Sequence, residues 1–60
     1  MKGINRIYIQ YSDGDYWNNI SVMFSPMPQS IRQSMKGLAG SFPGRKIRAV
    51  DEDGRIVDFL

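Results

Sequence analysis

A chain of 60 residues with neither cysteine nor histidine has few ways to stay folded. At this size only about 60% of the surface exposed by the unfolded chain is buried on folding, so a lone core is marginal. Small domains commonly add a disulfide, a metal or a partner chain. Disulfides are excluded here, and the common zinc sites with them. No metal and no cofactor is expected. A well-made apolar core or self-association remains, and self-association is the expectation, with a homodimer as its simplest form.

The same two absences weigh against an enzyme. The usual general base and the usual thiol nucleophile are missing. Ser12, Ser21, Ser25, Ser30, Ser34 and Ser41 are available, but none lies in a nucleophile-elbow pattern. Asp13 with Asp15, and Asp51 with Asp53, could pair as carboxylates. Aspartate beside glycine is, however, the ordinary chemistry of turns. The "DEDG" stretch lacks the spacing of a calcium loop. The expectation is a protein without catalytic residues.

Two hydrophobic patterns and one helical pattern set the fold. In "INRIYIQYS", Ile7, Ile9 and Tyr11 alternate with Arg6, Tyr8 and Gln10. Alternation of this kind marks a strand with one covered face. "ISVMF" repeats it, with Ile20, Val22 and Phe24 on one side and Ser21 and Met23 on the other. Asp13-Gly14 is a strong turn signal between them. Two registers compete. A tight turn sets Tyr11 opposite Tyr16 and Ile7 opposite Ile20, with Trp17 on the outer face beside Gln10. A wide loop over residues 12–19 sets Tyr11 opposite Ile20, Ile9 opposite Val22 and Ile7 opposite Phe24. Both keep Trp17 away from the core face.

In "SPMPQSIRQSMKGLAGSF", prolines suit a first helical turn. Met27, Ile31, Met35, Leu38 and Phe42 then form one apolar stripe. Gly37, Gly40 and Pro43-Gly44 end the helix. The closing segment "KIRAVDEDGRIVDFL" reads as a hairpin with Glu52-Asp53-Gly54 as a three-residue loop and Asp51 facing Arg55. Ala49 then pairs with Val57, Ile47 with Phe59, Val50 with Ile56, and Arg48 with Asp58. The fold class is α+β: a single domain over residues 1–60 in ββαββ order, a four-stranded antiparallel sheet with the helix packed on one face. A dimer would use the C-terminal strand or the open sheet face, since an apolar edge invites pairing with a second copy.

Net charge is only +2, but it is unevenly spread. Residues 25–50 carry Arg32, Lys36, Arg45, Lys46 and Arg48 with no acid. The last ten residues set Asp51, Glu52, Asp53 and Asp58 against Arg55. Such asymmetry can mark a site for an anion, or simply a solvated middle with a charge-matched end. Arg6, Tyr8 and Trp17 share the outer sheet face, or in the wide-loop register Trp17 lies near its rim, where rings can stack bases and cations can neutralise phosphates. The same residue types are enriched at protein interfaces. "GSFPGRKIR" is a second anion candidate through backbone N–H groups and Arg45, Lys46 and Arg48. It lies at a helix C-terminus, whose partial negative charge opposes an anion.

No run approaches the roughly 20 apolar residues of a membrane span, and the first ten residues do not read as a signal peptide. A soluble cytoplasmic protein is expected. In size and in its mixture of aromatic and basic residues, the chain resembles the small proteins that bacteriophages carry. These include inhibitors of host systems and proteins that sequester nucleotide signals. The resemblance implies a viral protein acting in a host cytoplasm. The leading expectation is a non-enzymatic module binding a nucleotide, cyclic nucleotide or short nucleic acid through Arg6, Tyr8, Trp17, Arg45, Lys46 and Arg48. The rival is an inhibitor or adaptor that binds a host protein.

Overall fold

The structure, a computed structural model, describes residues 5–60. Strand β1 (Arg6–Ser12) turns into β2 (Trp17–Phe24), helix α1 (Pro28–Ala39) follows, and β3 (Ile47–Val50) and β4 (Ile56–Phe59) close the domain. The strands form one antiparallel sheet in the order β2-β1-β3-β4. The expected ββαββ order and single-face helix are therefore found. Among the described residues no helix is long and apolar enough to cross a membrane.

One sheet face meets the helix. Ile7 and Ile9 of β1 and Ile47 and Ala49 of β3 pack against Ile31 and Met35 of α1. Ile9, Met35 and Ile47 are almost wholly removed from solvent, worth roughly 1.5–3 kcal/mol each in transfer free energy. Tyr11, Ile20, Met23, Leu38, Ala39 and Phe42 surround them. Pro28 stands at the first helical position, where a missing N–H costs nothing. Met27, expected on the helix stripe, instead has extended backbone just before it and is exposed. The helix begins one residue too late to turn Met27 inward.

The first hairpin follows neither expected register. Asp13 and Tyr16 close the turn, with the Asp13 N–H donating to the Tyr16 carbonyl at 3.0 Å and Gly14 at φ +110°. Tyr11 faces Asn18 and Gln10 faces Asn19; a bulge then places Ser21 opposite Ile9 and Met23 opposite Ile7. Ile20 is the extra residue. A one-residue slip reverses the facing of every later side chain. Met23 therefore packs on the core, while Val22 and Phe24, expected inside, are exposed on the reverse face.

The second hairpin matches expectation at its turn and departs beyond it. The Asp51 N–H donates to the Arg55 carbonyl, the Gly54 N–H to the Asp51 carbonyl, and Gly54 has φ +83°. Val50 faces Ile56. A bulge at Val57 then shifts the pairing to Ala49 with Asp58 and Arg48 with Phe59. The expected Arg48–Asp58, Ala49–Val57 and Ile47–Phe59 pairs are thereby corrected. Asp58 turns to the helix side and binds the Arg32 guanidinium at 2.7 Å. Phe59 turns to the open face.

Candidate nucleotide-binding face

Among the described residues no element covers the sheet face away from the helix, and strand alternation decides what it shows. Arg6, Tyr8 and Gln10 project there from β1, opposite in parity to the core residues Ile7 and Ile9. From β2 come Trp17, Asn19, Val22 and Phe24; from β3 come Arg48 and Val50; from β4 come Ile56 and Phe59. Lys46, just before β3, shares their parity and also lines the groove beside Asp13 and Arg45. Its carbonyl accepts the Ser12 N–H at 3.0 Å, extending the β1–β3 register by one more pair.

This face has two halves. At the end near the first turn, the Arg48 guanidinium lies 4.0 Å from the Trp17 ring centroid. Phe59 meets the same indole edge-on, at 6.1 Å and 78°. The Arg48 Nε donates to Gln10 Oε1 at 2.8 Å, and Gln10 Nε2 donates to Asn19 Oδ1 at 2.8 Å. One polar relay thus links three strands, β3, β1 and β2, and Phe59 of β4 joins them through the indole. The other half is apolar: Tyr8 pairs with Val22 on one side and with Val50 on the other, and Ile56 lies beyond Val50. Val50 is buried, although it lies outside the core cluster.

Among the described residues the outward strand positions carry Arg6, Arg48 and the Tyr8 phenol, with Lys46 just before β3, and no carboxylate. Among the described residues the one ion pair is Arg32–Asp58, on the helix side. Arg48 is half-buried, and its Nη donors have no partner among the described residues. Arg6 stands at the far end, where its backbone N–H donates to Glu52 Oε2 at 3.0 Å.

The basic segment between helix and sheet divides between the two faces. Arg45 goes to the helix side: its Nη1 donates to the Ser12 carbonyl at 3.2 Å, and its guanidinium lies 5.7 Å from the Tyr11 ring. Tyr11 is itself stacked on Phe42 at 4.4 Å. The Arg45 N–H is already bonded to the Phe42 carbonyl at 3.2 Å, so it does not point into an anion nest. Asp13 borders the same groove. Its carboxyl is held below the usual range by the Tyr16 N–H, then by the Asn18 side chain and the Asp15 N–H, with a smaller contribution from the Arg45 charge. The groove thus sets one carboxylate, Asp13, beside two cations, Arg45 and Lys46.

Of the six residues singled out in the sequence, the structure brings Trp17, Arg48 and Lys46 to one end of the open face and places Tyr8 at its middle. Arg6 lies at the opposite end, and Arg45 lies off the face. Two participants escape a reading of the sequence as a binding site. Gln10 fixes Arg48, and its outward parity in β1 was the available signal. Phe59 reaches the face only through the bulge at Val57, which no local residue marks. No protein-family model, curated protein or solved structure matches the chain.

Proposed function

We propose that this chain is a non-enzymatic binding module, working as a homodimer in the cytoplasm, whose helix-free sheet face takes a phosphate-bearing ligand. A nucleotide, a cyclic nucleotide or a short single-stranded nucleic acid fits the chemistry. One observation supports this best: the Arg48 guanidinium lies over the Trp17 ring, on a face whose outward strand positions among the described residues carry cations and no carboxylate. A base gains from stacking on a ring or a guanidinium, at about 1–3 kcal/mol per base. A phosphate gains from Lys46 and from the free Nη donors of Arg48. Tyr8 would extend the stacking track toward Arg6.

Trp17 is the single tryptophan, so its emission reports on the site directly. Mononucleotides, cyclic nucleotides and a short oligonucleotide are titrated at about 50 mM and about 200 mM salt. Nucleic-acid affinity should fall steeply across that range as counterions are released, while a small nucleotide held by stacking should respond less. No response to any of them at the lower salt, with the protein folded, rejects the proposal.

The second reading is a host-directed inhibitor or adaptor. The exposed Val22, Phe24 and Ile56 favour it, because they give the other half of the face an apolar character. A single host protein recovered on immobilised protein, with and without nuclease treatment, would support this reading over the first.

A further inference from the structure

We infer that two copies of this chain join edge to edge through β2, forming one continuous eight-stranded sheet about a two-fold axis. This rests on the homodimer part of the function above but not on its ligand. Among the described residues nothing pairs with the outer edge of β2, and nothing with that of β4. The two edges differ in how they are guarded. β4 is four residues long, carries Asp58, and is crossed by Arg32, whose Nη1 contacts both Asp58 Oδ1 and the Phe59 carbonyl at 3.4 Å. β2 is eight residues long, and its sequence WNNISVMF contains no charge and no proline. Both strands carry a bulge, so bulging does not separate them. Length, charge and cover do, and unguarded edges of this kind pair with other strands.

The free backbone groups of β2 are identifiable. The Ser25 N–H bonds the Asn5 carbonyl at 2.7 Å, and the Asp13 N–H bonds the Tyr16 carbonyl. Bonded and non-bonded pairs alternate in an antiparallel ladder. Trp17, Asn19, Val22 and Phe24 therefore direct their N–H and C=O groups away from β1.

Two features select a second copy as the occupant. An antiparallel pair sets the start of one β2 beside the end of the other. That brings Tyr16, exposed before the strand, toward the partner's Met27, exposed after it. Finally, among the described residues the charged side chains at outward strand positions are all cationic, so packing the open faces together would oppose like charges, whereas edge pairing leaves both open on the same side. Edge pairing alone buries less than the roughly 800 Å² per partner of a standard interface, which sets the expected dissociation constant in the micromolar range.

The full chain is examined by sedimentation from about 1 to about 300 µM, around that range, together with amide hydrogen exchange. The expected result is a closed dimer of 6.9 kDa subunits, with the Val22 and Phe24 amides slowing as concentration rises. A synthetic chain with N-methylvaline at position 22 removes one outward donor that β1 does not use. It should weaken dimerisation at least tenfold, as should Phe24→Lys, while Val57→Lys on the β4 edge should not. The hydrogen-exchange arm needs no variant and decides the matter if the altered chains misfold. A monomer at the highest concentration, unprotected Val22 and Phe24 amides in a dimer, or a dimer broken by Val57→Lys overturns the inference. Assembly beyond two subunits also overturns it. Nucleotide titration of the N-methyl chain separates this outcome from failure of the ligand proposal.

Discussion

Replacing Arg48 with methionine tests the construction of the open face. Methionine keeps an unbranched apolar stem and removes the guanidinium. The lost hydrogen bond to Gln10 Oε1, at 2.8 Å and half-buried, is worth about 1 kcal/mol net. Gln10 can turn its freed oxygen to water, so no burial penalty is added. The lost contact with the Trp17 ring, at 4.0 Å, is worth about 0.5–1 kcal/mol at a partly exposed site. The sum is about 1.5–2 kcal/mol, and at this size each 1 kcal/mol moves Tm by about 4–8 °C. Urea unfolding followed by circular dichroism measures the loss, and Trp17 emission should change with it. A double-mutant cycle with Trp17→Leu should return a coupling of about 0.5–1 kcal/mol for the pair. If Arg48→Met is within about 0.3 kcal/mol of wild type and leaves Trp17 emission unchanged, Arg48 does not lie on the indole in solution. The electrostatic account of the face then fails.

Three further outcomes follow from the fold and its turns. Ile9→Ala removes a side chain with no exposed surface and should cost about 2–5 kcal/mol, much of the stability of a domain this small, read as a urea-midpoint shift or outright unfolding. Gly54→Ala meets no atom within 4 Å but must hold φ +83°, so it should cost about 1 kcal/mol from backbone conformation alone, with Gly54→Asn costing less. Because the folded-state pKa of Asp13 lies below 3.8, the stability it contributes is fully present above about pH 4 and is lost as pH falls through the folded value. Tm measured from about pH 6 to about pH 2 should therefore fall less steeply for Asp13→Asn than for wild type.

The fold was legible because its signals are local and repeated. Ile7, Ile9 and Tyr11 alternate over a whole strand, Ile31 and Met35 recur at helical spacing, and both turns carry a glycine with positive φ. What was not legible is governed by single extra residues. The bulge at Ile20 turns Val22 and Phe24 outward, and the bulge at Val57 sends Asp58 to Arg32 and Phe59 to Trp17. A bulge is settled by which pairing satisfies the whole sheet, so Val57 and Ile20 look like any other strand residues beforehand. The site shared this limit. Parity alone placed Tyr8 and Arg6 outward, but the meeting of Arg48 with Trp17 spans three strands and depends on the β1–β3 register, which joins segments distant in sequence.

The central place of β1, between β2 and β3, constrains the order in which this protein can acquire its structure. The β1–β2 hairpin is local and can close early, but β1 then waits with its second edge bare until the segment beyond the helix arrives to pair with it. Closing that long loop is the slow, entropically costly event. Mutations at the β1–β3 seam should therefore slow folding.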